Sequence, residues 1–284
     1  MSDEPASQAG KGARLRALHE RERLFVIPNP WDAGSARLLA GLGFEALATT
    51  SAGHAFALGR PDAEGQVSRD ETLANARSIV EATPLPVSAD LEGGFGAAPE
   101  ACAETVRLAA DAGLVGGSIE DATGDPADPI HPLELAVERV AAAVRSARAL
   151  PFDFTLTARA ENLLYGRHDL ADTIRRLQAY AEAGADVLYA PGLRGAEDIG
   201  AVVRALAPKP VNVVMGLAGA ALSLAELEAL GVRRVSLGSS LARAAYGELL
   251  RAAREVRDEG RFGYAQRAVP FADLNAAFRK PTRP

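Results

Sequence analysis

Short apolar runs alternate with longer amphipathic stretches along nearly the whole chain. The runs at 24–27, 45–49, 86–90, 114–120, 154–158, 186–189, 211–214 and 232–237 predict buried strands. Between them, apolar residues recur at helical spacing over 35–41, 69–81, 100–112, 133–149, 170–183, 196–206 and 224–230. A long helix over 241–259 closes the series. Alternate units share one entry. Ala40-Gly41-Leu42-Gly43-Phe44, Asp111-Ala112-Gly113-Leu114, Glu182-Ala183-Gly184-Ala185 and Leu230-Gly231-Val232 each end a helix on glycine and start a strand at once.

Eight strand–helix units in about 240 residues predict an α/β fold of the (β/α)8 TIM-barrel type. An open doubly wound sheet is the rival, and it usually carries a glycine fingerprint after its first strand. Here that position reads Pro28-Asn29-Pro30-Trp31, which forms no phosphate nest. The expected organisation is a flexible N-terminus or leading helix over 1–20, the barrel over 21–260, and a C-terminal helical tail over 261–284. The tail carries one short helix at 271–278. It has too little core of its own and should dock on the barrel or on a neighbouring subunit.

Composition narrows the function classes. Of the 284 residues 48% are hydrophobic, enough for a sizeable core, which excludes intrinsic disorder. Cys102 is the single cysteine, so no intrachain disulfide and no cysteine-rich zinc site can form. It reads as a small buried hydrophobe in a helix. A net charge of −6 with no basic block argues against nucleic acid. No long uncharged apolar window predicts a membrane span, and the polar start of the chain has no apolar signal-peptide core. A cytoplasmic enzyme or binding protein is expected.

In a barrel the chemistry sits at the C-terminal ends of the strands. That filter selects Asn29, Trp31 and Asp32 after strand one, and Thr49, Thr50, Ser51, Gly53, His54 and Asp62 after strand two. Strand three gives Ser88, Asp90 and Glu92, and strand four gives Ser118, Glu120 and Asp121. Thr157, Arg159, Glu161 and Asn162 follow from strand five, Tyr189 from strand six, Asn212 from strand seven and Ser236 from strand eight. Clustered carboxylates with few histidines suit a hard cation such as Mg2+. Arg159 suits a two-pronged grip on a substrate carboxylate, or else an ion pair with Glu161 or Glu120. A metal beside a small organic acid points to polarisation of a 2-oxo group and stabilisation of an enolate. Asp90 and Glu120 could instead cap helices, and His131 and His168 could be solvent-exposed loop residues.

These residues carry a resemblance. The segments Asn29-Pro30-Trp31-Asp32-Ala33-Gly34-Ser35-Ala36-Arg37, Thr49-Thr50-Ser51-Ala52-Gly53 and Gly59-Arg60-Pro61-Asp62 come first in order. Ser88-Ala89-Asp90-Leu91-Glu92-Gly93-Gly94-Phe95-Gly96, Gly116-Gly117-Ser118-Ile119-Glu120-Asp121 and Ala158-Arg159-Ala160-Glu161 complete the set. Together they resemble the isocitrate lyase / phosphoenolpyruvate mutase superfamily over about residues 24–250. The resemblance implies a TIM barrel, a last helix swapped between subunits of a homodimer or homotetramer, and Mg2+ (or Mn2+) as cofactor. It implies a small 2-oxo or hydroxy di- or tricarboxylate as partner. Asp90, Glu120 and Asp62 would hold the metal and its waters. Trp31, Ser51, Ala52, Gly53, Arg159 and Asn212 would bind substrate. Glu120, Asp62, Arg159 and His131 would serve catalysis.

Two departures set this chain apart within the resemblance. The usual strand-three motif Asp-Ala-Asp-Thr-Gly reads Ser88-Ala89-Asp90-Leu91-Glu92 here, so the first acid is a neutral hydroxyl. The lyase loop after strand four, Lys-Lys-Cys-Gly-His or Lys-Arg-Cys-Gly-His, reads Thr123-Gly124-Asp125-Pro126-Ala127-Asp128-Pro129-Ile130-His131. It has neither cysteine nor lysine, and His131 is its one acid–base group. The expected function is therefore a divergent Mg2+-dependent carbon–carbon lyase, decarboxylase or hydrolase of a small 2-oxo or 2-hydroxy di-acid, acting through a metal-stabilised enolate. The alternatives are a weak or inactive 2-oxo acid binding protein, a phosphonopyruvate-type hydrolase or mutase, and a one-carbon transferase of the same ligand class.

Overall fold

A computed structural model of the protein describes residues 7–216 and 222–279. Residues 1–6 and 280–284, the outer ends of the expected leading segment and tail, lie outside the described residues. Eight parallel strands form one sheet in the order β1-β8-β7-β6-β5-β4-β3-β2. They are β1 (Phe25–Ile27), β2 (Leu47–Ala48), β3 (Val87–Asp90), β4 (Gly116–Glu120), β5 (Thr155–Arg159), β6 (Val187–Tyr189), β7 (Val211–Val214) and β8 (Arg234–Ser236). The helices are α1 (Gln8–Glu20), α2 (Ala33–Gly41), α3 (Ser51–Ala57), α4 (Arg69–Glu81), α5 (Pro99–Asp111) and α6 (Leu133–Arg148). They continue with α7 (Leu170–Glu182), α8 (Ala196–Leu206), α9 (Leu224–Ala229), α10 (Ser240–Arg254) and α11 (Phe271–Arg279).

The (β/α)8 barrel expected from the sequence is the architecture found. Its seam lies between β1 and β2. Pro28 and Pro30 lack the N–H a ladder needs, so β2 is only two residues long. The Ala48 amide donates to the Pro28 carbonyl at 3.1 Å and carries the backbone contact across the gap. Asn29 finishes the closure. Its amide nitrogen donates to the Thr49 carbonyl at 2.9 Å, and its Oδ1 accepts from the amides of Leu237 and Gly238 at 2.8 and 2.9 Å. Apolar side chains between strands and helices form the core, with Leu156, Val187, Leu188 and Val235 each at most 1% exposed.

Two elements differ from the sequence reading. The segment after β2, expected as a loop, forms α3, with Thr50 Oγ1 accepting from the Gly53 amide at 3.2 Å. Seven residues are too few to show a helical period. The expected helix 241–259 is α10 followed by one π-turn over Glu255–Glu259, and it ends at Gly260 in the left-handed conformation (φ 62°).

Helix α1 packs against the barrel. His19 is 8% exposed; its Nδ1 lies 2.8 Å from the Leu15 carbonyl and its Nε2 lies 3.3 Å from Arg234 Nη1. Burial, then the Arg234 charge, push the imidazole down from 6.5 to about 3. A neutral ring that donates from Nδ1 and accepts at Nε2 satisfies both contacts. Since the folded value lies below the unfolded one, this histidine contributes stability in full above pH 6.5 and loses it as the pH falls toward 3. Denaturant midpoints measured from pH 7 to 4 should fall, and His19→Gln should flatten that slope. An unchanged slope in the variant contradicts the assignment.

Candidate active site

Carboxylates from three strand ends converge on one guanidinium at the barrel mouth. Arg159 ends β5, directly opposite Glu120 on β4 and Tyr189 on β6. Its Nη1 contacts Asp90 Oδ1 at 2.9 Å, its Nη2 contacts Glu120 Oε2 at 3.0 Å, and its Nε contacts Glu161 Oε1 at 2.9 Å. Its flat face lies over the Tyr189 ring, 5.2 Å from the centroid. The ion pairs that the sequence offered as an alternative for Arg159 are thus formed, with Asp90 as a third partner. Burial lowers its proton affinity, but Glu120, Glu161 and Asp90 overcome this and hold the charge firmly in place.

Asp90 is held on all sides. Its amide donates to Thr49 Oγ1 at 3.0 Å, its Oδ1 also accepts from the Glu92 amide at 3.2 Å, and its Oδ2 accepts from Ser51 Oγ at 3.1 Å. Ser51 opens α3 and lies beside Asp62, whose proton affinity it tends to lower. Asp62 is thereby brought to the same cluster, and its carboxyl is pushed up by burial and by Asp90. Glu92 joins through an unusual backbone, with φ of 48° in the left-handed region. Burial, then Asp90 and Asp62, push its carboxyl up to about 7. Glu120 is pushed well above the ordinary carboxylate range by burial, against the pull of Arg159.

A second layer fixes the loop that carries Glu92. Buried Arg139 of α6 donates to the carbonyls of Gly96 and Ala97, both at 2.6 Å, and to that of Gly93. Gly94 must be glycine, because its φ is 75° and a Cβ would sit 2.8 Å from Cys102 Sγ. Cys102 is fully buried and packs beneath this loop, as its sequence context suggested. Asp121 locks the loops after β4 and β5 together. It accepts from the Glu161 amide at 2.8 Å, from Arg176 Nη1 at 3.1 Å and from the Tyr180 hydroxyl at 2.7 Å.

Two cavities border the cluster. The deeper, of about 200 Å³, enters the barrel between Ser51, Asp90, Arg159 and Asn212. The outer, of about 600 Å³, is lined by Glu92, Glu120, His131, Arg139 and Tyr165 among others. Ala52 and Asn212 line the deep cavity. Asn212 is 1% exposed; it donates to Ser236 Oγ at 3.0 Å and accepts from Arg234 Nε at 2.8 Å. His131 is 8% exposed on the outer cavity, not a solvent-exposed loop residue, and burial and Arg139 lower its proton affinity. Gly53 and Trp31 pack against each other, with a Gly53 Cβ falling 3.0 Å from Trp31 Cβ, and neither lines either cavity. Asp32 caps α2, and Asn162 staples the β5–α7 loop through Thr173.

The sequence named Glu161 as a possible ion-pair partner of Arg159 and Glu92 as a strand-end acid able to replace a metal ligand, and gave Tyr189 no role. Arg139 and Arg234 it missed. The available signal for Arg234 was a charge inside the apolar run 232–237, and for Arg139 a charge on an apolar helix face.

The donor set fits a hard divalent cation. Asp62, Asp90, Glu92, Glu120 and Glu161 crowd around Arg159, and Asp62, Glu92, Glu120 and Glu161 are pushed up by burial and by their neighbours' charge. A cation there would relieve both. Among the described residues no three His, Cys, Asp or Glu side chains converge into a ready metal cage. An ion such as Mg2+ keeps several waters and takes one or two carboxylates, and Asp90 and Glu120 are the strand-end acids that could supply them.

Asp121 and Arg176 form a buried pair, at 2% and 8% side-chain exposure. Asp121→Asn removes one of the two acids that pair with Arg176, Asp172 at 2.8 Å being the other, and it should lower stability by about 1–3 kcal/mol. Urea unfolding measures this, and a loss below about 1 kcal/mol would show that the pair holds nothing together.

Comparison with known proteins places the chain. The family model described as phosphoenolpyruvate phosphomutase matches residues 15–257. A crystal structure from Burkholderia cenocepacia J2315, named only as a lyase/mutase, is 61% identical, with a TM-score of 0.94 over 97% of this chain and 98% of that one. Oxaloacetate acetylhydrolase in complex with the product oxalate is 31% identical, with a TM-score of 0.86 over 97% and 95%. The 2,3-dimethylmalate lyase of Eubacterium barkeri is 33% identical over 227 residues, 77% of this chain and 76% of the relative. The barrel, the ordered strand-end motifs and these matches agree: the chain belongs to the phosphoenolpyruvate phosphomutase family, within the isocitrate lyase/PEP mutase superfamily.

Proposed function

We propose that the protein is a Mg2+-dependent enzyme that cleaves a carbon–carbon bond in a small 2-oxo or 2-hydroxy di-acid, by lysis, decarboxylation or hydrolysis. The carrying observation is the excess of carboxylates around Arg159, set at the mouth of a cavity of about 200 Å³. That volume lies below the usual range for drug-sized ligands and suits a short acid. Two relatives are named for oxaloacetate and 2,3-dimethylmalate, both short di-acids, which supports the same class here.

Mg2+, or Mn2+ in its place, supplies Lewis-acid polarisation of the 2-oxo group when bound. Asp90 and Glu120 hold that ion, and Asp62 orients its waters. Ser51, at the start of α3, directs its hydroxyl toward the acid cluster and orients the ligand's oxo end. Arg159 keeps Asp90, Glu120 and Glu161 in place and offers positive charge to a ligand carboxylate. Glu92, a carboxyl on the wall of the outer cavity that burial, Asp90 and Asp62 push up in the metal-free site, serves as the general acid or base. This role favours turnover over passive binding. His131 is the second proton carrier, on the loop that covers the outer cavity.

The expectation of a homodimer or homotetramer also becomes a proposal. Leu249, Leu250, Phe262, Val269 and Phe271 are 51–86% exposed along α10 and the tail, more apolar surface than a lone barrel leaves uncovered. A second copy of the chain would cover it.

Three outcomes test these readings. Product analysis with oxaloacetate, 2,3-dimethylmalate, methylisocitrate and phosphonopyruvate should show turnover of a di-acid only with Mg2+. Absence of both turnover and Mg2+-dependent binding for every acid contradicts the function. In the active pairing, Glu92→Gln should lower kcat by about 100-fold and remove one inflection from the pH profile of kcat. An inflection that persists assigns the proton to another group. Light scattering should give a dimer or tetramer that Leu250→Asp combined with Phe271→Asp breaks to monomers, and a monomeric wild type contradicts the assembly.

A further inference from the structure

Arg234 stands one layer beneath Arg159 inside the barrel. It reaches across from β8 and donates from Nη2 to Thr157 Oγ1 at 3.1 Å, two residues before Arg159 on β5. Its other contacts are Asn212 Oδ1 at 2.8 Å and His19 Nε2 at 3.3 Å. Not one of these partners is an acid, and His19 is held neutral. Three of the five guanidinium N–H groups are thus used, all on neutral acceptors. The side chain is 6% exposed, and burial pushes its proton affinity down to about 10.

A buried cation without a counter-charge is expensive, and an apolar residue of like size would fill the same space at lower cost. The deep cavity reaches this guanidinium. Its walls there are Ser88, Ser118, Asn212 and Ser236, all neutral, while Asp90 and Arg159 stand higher up. The cavity is therefore polarised along the barrel axis, acid-rich at the mouth and positive at depth. Arg159 already has a carboxylate on Nη1, Nη2 and Nε. The cation that lacks an anion is Arg234.

We propose that Arg234 is the counter-ion for the second carboxylate of the substrate, which enters the barrel past Asn212 and Ser236 while the 2-oxo end stays at the acid cluster. The proposal rests on the di-acid reading above and deepens it. Arg234 becomes the residue that separates di-acids from mono-acids, and Asn212 is a positioning residue that aims its fork.

The test compares oxaloacetate with pyruvate, which share the 2-oxo carboxylate and differ by the second one. Calorimetry with Mg2+ should show wild type preferring oxaloacetate by about 30-fold or more. Arg234→Met should weaken oxaloacetate alone and bring the two acids within about threefold, whereas Arg234→Lys should keep part of the preference. Equal weakening of both acids, or no preference in wild type, overturns the proposal. Succinate, which has no 2-oxo group, provides a separate readout without metal. It should raise the melting temperature of wild type and raise that of Arg234→Lys less. If neither 2-oxo acid binds wild type, the functional reading fails, and succinate still decides the subsite: no protection of wild type, or equal protection of both proteins, overturns it. If Arg234→Met does not fold, the Lys variant carries the comparison, since a merely structural arginine would shift its melting temperature and leave the ratio of affinities unchanged.

Discussion

Three acids share one guanidinium at the mouth of this barrel, and most of the surrounding architecture follows from that arrangement. Asp90, Glu120 and Glu161 come from β3, from β4 and from just beyond β5, so Arg159 ties three neighbouring units together. A buried group of this kind is a poor source of net stability, because desolvation offsets most of the attraction. Its value lies in geometry. Each acid is fixed by Arg159, and Asp62 and Glu92 stand beside the group with their carboxyls pushed up by burial and by Asp90.

The outer structure keeps that charge in place. Arg139 clamps the loop behind Glu92, and Asp121 joins the loops after β4 and β5. Neither residue lies in the deep cavity, and both act by holding backbone. Beneath the acids the sign of the field reverses at Arg234. Neutral Ser88 lines the deep cavity between the two regions. The serine thus fits a chain in which the barrel interior is kept positive.

Much of the fold was legible because parallel strands buried on both faces are written as short apolar runs. Several runs end on, or one residue before, a polar residue at the mouth, and that pattern led to Asp90, Glu120 and Arg159. The rest depends on contacts that local sequence does not encode. Arg139 meets Gly96 across 43 positions, and Arg234 meets His19 across 215. The left-handed turn at Glu92, which brings its carboxyl to the site, carries no glycine at that residue to announce it. Helix α3 escaped notice because its seven residues are too few to show a helical period and include a glycine. The proton affinities escaped for a related reason: they arise from burial and from neighbours brought together only by the closed barrel.

The proposed role of the crowded carboxylates is to hold a divalent cation. Crystals grown with Mn2+ and oxalate, with anomalous differences measured at the manganese edge, test this directly. One strong peak coordinated by Asp90 or Glu120 is expected, with water or oxalate filling the remaining positions and Arg159 still in contact with Glu161. A map with no peak at the mouth, or with manganese bound only elsewhere on the molecule, would contradict it.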